Sequence, residues 1–110
     1  MLECIIIGSG MAGISAALTL KAQGRSFVLL GAAEQSAKIR KAERIENYPA
    51  FLSGTGEELA ALLKRQLEES GIEIKTGRAA GVYAGGGKVT VPPSRYEWLE
   101  AKTAILATGA

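Results

Sequence analysis

The sequence contains no histidine and only one cysteine among its 110 residues, and both absences restrict its chemistry. Without histidine the chain lacks the commonest metal ligand and the commonest general base of proteins. We therefore predict no metal site and no catalytic residue. Cys4 cannot form an internal disulfide, and its place in an apolar run predicts a buried structural thiol.

The chain also has little net charge and no long apolar run. Its 13 Lys and Arg residues against 11 Asp and Glu give a net charge of +2, too small to predict nucleic acid or an anionic membrane as the main partner. No apolar run approaches the ~20 residues of a membrane span. The opening apolar stretch is short and lacks the basic leader of a signal peptide. We therefore expect a cytoplasmic chain. Its 110 residues are close to the commonest domain size, so we also expect a single domain.

A glycine-rich loop follows directly on the first apolar run. Residues 4–7 predict a buried strand, residues 8–13 read G-S-G-M-A-G, and a helix of small residues follows. Strand, G-x-G-x-x-G loop and helix in this order are typical of a site for a dinucleotide pyrophosphate. The alternative is an ordinary strand-to-helix turn.

Each position of this loop has a physical role in the predicted site. Gly8 permits the tight turn, Gly10 lets the backbone approach the phosphates, and Gly13 lets the helix pack closely on the sheet. The start of the helix presents unpaired N–H groups and the positive end of its dipole to the anion. Ser9 can add a hydroxyl donor.

The next residues predict further parts of a parallel α/β fold. The continuous apolar run over 26–30 predicts a second buried strand, which completes a strand–helix–strand unit. Residues 31–53 are irregular. A second helix starts at a capping box formed by Thr55 and Glu58, ends at Gly71, and is followed by a short strand over 72–76. The apolar stripe of this helix is predicted to consist of Leu59, Leu62, Leu63 and Leu67.

Residues 79–101 break into short pieces instead of continuing the helix–strand alternation. The runs over 82–84, 88–91 and 96–100 predict a three-stranded antiparallel meander. A buried strand then returns over 103–107 and ends on a second glycine signature, Ala107-Thr108-Gly109. We therefore predict a Rossmann-like parallel sheet with a β-meander crossover, which a plain nicotinamide-binding domain lacks.

Taken together, these motifs resemble the N-terminal FAD-binding segment of thioredoxin-reductase-like flavoproteins, within the class that has two dinucleotide-binding domains. The matching pieces are the glycine loop, the I-E-N-Y-P stretch over 45–49, the helix start over 55–63, the meander, and residues 103–109. The resemblance implies FAD as cofactor, with its pyrophosphate on the glycine loop. By position it implies FAD contacts at Gly8, Ser9, Gly10, Ala12, Asn47, Ala79, Ala107, Thr108 and Gly109. Further predicted cofactor-binding residues are Gly13, Gly31, Glu34 and Lys38.

The chain departs from the family pattern after its second strand. Gly31 stands where the fingerprint expects an acidic residue for a ribose hydroxyl, and the nearest acid is Glu34. The usual Gly-Gly-Gln-Leu of the family is replaced by Ser-Ala-Lys-Ile over 36–39, which puts the cation of Lys38 where a neutral amide is usual.

The resemblance implies parts that these residues do not contain. In such enzymes a nicotinamide domain with a redox Cys-x-x-Cys follows, and a later segment completes the FAD domain. We therefore expect residues 1–110 to be a single, truncated and incomplete FAD-binding domain that is inactive alone. NAD(P)H would act only through the missing domain of the intact oxidoreductase.

Partners are predicted from the same resemblance and from the expected exposed sheet edges. A homo-oligomer is expected, because uncovered strand edges recruit partners. In the intact enzyme a thioredoxin-like protein or an acidic electron carrier would dock. The basic group Lys38, Arg40, Lys41 and Arg44 is either a solvated loop or short helix, or a docking face for that carrier or a phosphate clamp.

Two other functions remain open on the sequence. The chain is alternatively a stand-alone NAD(P)-binding module, or a domain that has lost cofactor binding through the altered residues 31–39. Tighter binding of NADPH than of FAD would indicate the first. Absence of flavin absorbance after addition of FAD would indicate the second.

Overall fold

The computed structural model describes residues 1–33, 35, 37–92 and 98–109, and only the backbone of Ala37 and Lys38. In chain order its elements are β1 (Leu2–Ile7), α1 (Met11–Ala22), β2 (Phe27–Gly31), α2 (Ala37–Arg40), α3 (Gly56–Glu69), β3 (Ile74–Thr76), β4 (Tyr83–Gly85), β5 (Lys88–Val91) and β6 (Leu99–Leu106). The predicted helices and most predicted strands are present. The third strand is shorter than predicted, because it begins at Ile74 and leaves the buried Ile72 before it.

The strands form a six-stranded sheet in the order β3-β2-β1-β6-β5-β4. β1 lies between β2 and β6 and is parallel to both, and β3 is parallel to β2. β4, β5 and β6 are joined by antiparallel pairing. The predicted parallel sheet with an antiparallel meander is therefore confirmed.

The structure changes how the meander joins the sheet. The prediction placed a third meander strand over 96–100 and a separate strand over 103–107, but β6 is a single strand over Leu99–Leu106. Residues 99–101 pair with β5, and residues 101–106 pair with β1. One long strand thus serves both parts of the sheet. Residues 96 and 97 of the predicted strand lie outside the described residues.

The apolar residues of β1 enter two cores, one on each face of the sheet. Cys4 and Ile6 pack with helices α1 and α3, whereas Ile5 and Ile7 pack with Val91 of the meander. Successive side chains of a strand point to opposite faces, so a continuous apolar run is the pattern of a strand that is covered on both sides. Cys4 is buried and free, as predicted.

The end of β6 differs from the predicted buried strand. Ile105 is 37% exposed and Leu106 is 67% exposed. β5 pairs only with residues 99–101 of β6, so the outer edge of β6 beyond Ala101 has no strand partner in the described part of the chain. The prediction of burial at these positions is wrong, because apolar composition alone does not provide a covering element.

Helix α3 has the predicted start and a narrower buried face. The hydroxyl of Thr55 accepts a hydrogen bond from the Glu58 backbone N–H at 3.2 Å, as expected of an N-cap. Leu59, Leu63 and Leu67 are buried, whereas Leu62 is 51% exposed. Residues four apart share one helix face, so Leu62 lies off the stripe in which it was predicted. Within the described residues, no helix has the length and apolar character that crossing a membrane requires.

Candidate functional site

The two glycine signatures meet at the carboxyl end of β1. The N–H of Gly8 donates to the carbonyl of Leu30 at 2.8 Å, and the N–H of Ala107 donates to the carbonyl of Ile7 at 2.8 Å. Gly8 has a φ of +116°, and a Cβ there would lie 2.0 Å from the Ala107 carbonyl oxygen. Only glycine, which has no Cβ, fits where the backbone at residue 8 passes this close to the backbone of Ala107. The two glycine signatures, which are predicted from opposite ends of the sequence, therefore lie next to each other in the fold.

The surface in front of Gly10 is open. Beyond residues 9–11, no described heavy atom lies within 4 Å of a Cβ built on Gly10, and the residue has an extended backbone with a φ of −78°. As the N-cap of α1 it provides no side-chain cap for the helix. The N–H of Gly10 donates to no acceptor in the part of the chain that the structure describes. A bare helix N-terminus with open space in front of it suits an anion.

Gly13 has the predicted packing role. A Cβ at Gly13 would lie 1.7 Å from the Gly8 carbonyl oxygen and 3.6 Å from Cγ2 of Ile6. The missing side chain thus lets α1 approach both the loop and β1. Ala12, one residue earlier, is exposed on the first turn of the helix.

Ser9 is held by the loop that follows β2. The side chain is only 8% exposed, and its Oγ donates to the carbonyl of Ala32 at 2.9 Å. The Nε2 of Gln35 donates to the carbonyl of Ser9, also at 2.9 Å. The hydroxyl hydrogen of Ser9 therefore has a protein acceptor, whereas the sequence suggested a phosphate as its acceptor.

The Gly31 position is closed by Ser9. A Cβ on Gly31 would lie 2.3 Å from Oγ, 2.6 Å from Cβ and 2.8 Å from the backbone N of Ser9. Distances below 3.0 Å between such atoms require one of them to move. The absence of the acidic residue at this point thus has a local cause, because Ser9 occupies the space in which that side chain would begin.

The remaining predicted residues lie at several places. Asn47 is exposed in a loop between the isolated bridges of Ile45 with Gly54 and of Tyr48 with Phe51. Ala79 packs against the core beneath the meander. Thr108 and Gly109 are exposed directly after Ala107, next to Gly8. Glu34 lies outside the described residues, and for Lys38 only its backbone in α2 is described.

Two residues of the basic group, Arg40 and Arg44, have partners close by in the sequence. The Nε of Arg40 donates to the carbonyl of Gln35 at 2.7 Å, and Arg44 forms an ion pair with Glu46. Helix α2 ends at Arg40, so Lys41 and Arg44 follow it, and the role of the basic group stays a prediction. Sequence reasoning missed Gln35, because a single glutamine in an irregular segment has no spacing that would single it out.

The fold is that of a Rossmann-like α/β unit with a β-meander. The sequence pattern of the family described as "Pyridine nucleotide-disulphide oxidoreductase" matches residues 2–110. The chain belongs to this family, whose members use FAD, with NAD(P)H as second substrate. The predicted family, fold class and cofactor class are confirmed.

Similar proteins agree with this assignment. The chain is 36% identical over 109 residues to the bifunctional thioredoxin reductase/thioredoxin of Mycobacterium leprae, a match that covers 97% of this chain and 24% of that protein. It is 30% identical to the thioredoxin reductase of Bacillus subtilis, with 98% and 34% covered. A crystal structure of a ferredoxin-flavin thioredoxin reductase from Clostridium acetobutylicum superposes with a TM-score of 0.91 at 31% identity, covering 96% of this chain and 36% of that one. The chain therefore spans about a quarter to a third of the length of these proteins.

Proposed function

We propose that this chain is the FAD-binding part of a thioredoxin-reductase-like oxidoreductase and that the loop over residues 8–13 binds the FAD pyrophosphate. The observation that carries the proposal is the open surface at Gly10, where the helix N-terminus has no side-chain cap and no described atom beyond residues 9–11 lies within 4 Å of a Cβ position on Gly10. Backbone N–H groups and the helix dipole favour an anion at such a position.

The surrounding residues fit the same group. Gly8 and Ala107 meet beside the loop, so the second glycine signature borders the proposed pyrophosphate site. Thr108 and Gly109 extend this border and are exposed. In this proposal Gly10 and the first turn of α1 bind the phosphates, and Ala107 to Gly109 lie along the cofactor. Asn47, Ala79, Gly31, Glu34 and Lys38 remain proposed contacts that follow from the family pattern.

The chemistry of the complete protein is proposed from the family. Bound FAD would relay electrons between NAD(P)H, or an electron-transfer protein, and a disulfide. The relatives named above are thioredoxin reductases, which suggests a thioredoxin-like acceptor. The one cysteine of this chain is buried in β1, so these 110 residues contain no redox dithiol. We propose that this chain alone binds FAD without turnover.

The test is a titration of the purified 110-residue chain with FAD, followed by flavin fluorescence, and a parallel titration with NADPH. Gly10→Val is the decisive variant. Its Cβ would meet no described atom within 4 Å beyond residues 9–11, and its methyl groups would enter the space assigned to the phosphates. Gly85→Val is the matched control, because its Cβ also meets nothing and the residue lies in β4.

The wild-type chain and Gly85→Val are expected to bind FAD, whereas Gly10→Val is expected to fold and to bind at least tenfold more weakly. Equal FAD binding by Gly10→Val would contradict the location of the site. Tighter binding of NADPH than of FAD would favour a stand-alone nicotinamide module. Absence of binding to either nucleotide would favour a domain that has lost its cofactor.

We also propose self-association of this chain through the end of β6. The outer edge of this strand beyond Ala101 is unpaired among the described residues, and it carries the exposed Leu106. A strand edge with apolar side chains is a template for pairing with a second copy.

A further inference from the structure

We infer that Gln35 is a positioning residue that aims the N–H of Gly10 at the pyrophosphate. The inference rests on the proposed function and adds a residue that the glycine pattern does not include. Gln35 lies in the segment after β2, far from the loop in sequence, and its Nε2 donates to the Ser9 carbonyl oxygen at 2.9 Å.

The geometry of the peptide bond connects this contact to the ligand. The Ser9 carbonyl and the Gly10 N–H belong to the same peptide unit. The described chain has no cis peptide bond, so these two groups point in opposite directions. When Gln35 fixes the carbonyl, it therefore fixes the direction of the Gly10 N–H. That N–H has no acceptor in the described part of the chain, and the surface beside it is open.

The contact also removes an unfavourable group from the site. A carbonyl oxygen that faced a pyrophosphate would repel it, whereas an N–H group attracts it. If the peptide between Ser9 and Gly10 rotated, the loop would present the oxygen instead. Gln35 holds the oxygen on the side away from the open surface, and the bond from Ser9 Oγ to Ala32 holds the same residue a second time.

The two polar atoms of the Gln35 amide differ in their surroundings, which indicates that the donor Nε2 is the functional atom. Oε1 is buried and has no hydrogen-bond partner among the residues that the structure describes. A buried acceptor without a partner is unfavourable for folding, so this amide is poorly explained by stability alone. The backbone of Gln35 is itself restrained, because its carbonyl accepts from Nε of Arg40 at 2.7 Å.

The test compares Gln35→Met with the matched change Gln66→Met. Methionine keeps the length of the side chain and removes the donor, and Gln66 is exposed on α3. For Gln35→Met we expect about tenfold weaker binding of both FAD and ADP, the loss for one misaligned hydrogen bond to a charged group. Binding of adenosine, which has no phosphate, should change less than twofold. Gln66→Met should bind all three like the wild-type chain.

Stability separates positioning from a structural role. Gln35→Met loses one hydrogen bond but also loses the unpaired Oε1, so its thermal midpoint should remain within about 3 °C of the wild type. In the ligand-free protein the backbone amide resonance of Gly10 should shift, because its orientation is released. Unchanged ADP affinity with an unchanged Gly10 resonance would overturn the inference. Equal losses for ADP and adenosine together with a large fall in the midpoint would also overturn it.

Two further measurements cover the cases in which Gln35→Met does not fold or the wild-type chain binds no nucleotide. If Gln35→Met does not fold, Gln35→Asn replaces it, since this shorter amide cannot reach the Ser9 carbonyl from the same backbone position, and the same losses are expected. If the wild-type chain binds neither FAD nor ADP, the proposed function is wrong. The Gly10 resonance in the ligand-free variants then decides whether Gln35 fixes the direction of the Gly10 N–H, which does not require a ligand.

Discussion

Restoring the acidic residue of the usual fingerprint should damage this protein. In Gly31→Glu the new Cβ would lie 2.3 to 2.8 Å from three atoms of Ser9, one of which is a backbone nitrogen. To reach ordinary contact the loop must move by several tenths of an ångström or more. Overpacking of this kind costs about 1–3 kcal/mol. For a chain of this size each kcal/mol lowers the thermal midpoint by about 4–8 °C.

The same movement would displace the proposed pyrophosphate site, because Ser9 is bonded directly to Gly10. We therefore expect Gly31→Glu to bind FAD more weakly, although it adds the side chain that usually binds a ribose hydroxyl. The control is Ala33→Glu, which adds the same charge at an exposed position two residues later and should change stability by less than about 0.5 kcal/mol. The assays are thermal unfolding and FAD titration. Tighter FAD binding by Gly31→Glu at an unchanged midpoint would refute the reasoning.

Three further predictions concern the fold. Thr55→Ala removes the cap of α3 and should lower the free energy of unfolding by about 1 kcal/mol in urea, and an unchanged value would contradict the cap. Leu59 is 3% exposed, so Leu59→Ala should lower the free energy of unfolding by about 2–5 kcal/mol, whereas Leu62→Ala should lower it by less than about 1 kcal/mol. Similar losses for the two variants would contradict the different burial of the two residues. Light scattering of the wild-type chain should give a mass above 11.5 kDa, and Leu106→Lys should reduce it towards the monomer; a monomeric wild type would exclude this interface.

Local patterns made much of the fold predictable. The order of strand, glycine loop and helix identified β1 and α1, and the capping pair Thr55 and Glu58 identified the start of α3. These features depend on neighbouring residues, so the sequence contains their signals. The β-hairpin over residues 83–91 was predictable for the same reason, since its tight glycine turn lies between two short β-prone runs.

Features that depend on distant residues were not predictable. The merging of two predicted strands into β6 depends on pairing with β1 and β5 at once. The exposure of Leu106 depends on which elements cover the sheet, and its apolar character suggested the opposite. In the candidate site, the contact of Gln35 with Ser9 joins residues 26 positions apart, with no pattern that would indicate it.

The most direct measurement is a crystal structure of this chain soaked with FAD. It should show pyrophosphate oxygens within about 3 Å of the Gly10 nitrogen, at the first turn of α1. The Ser9 carbonyl should still face Gln35. A pyrophosphate bound elsewhere on the chain, with the surface at Gly10 empty or filled by a protein side chain, would contradict the account.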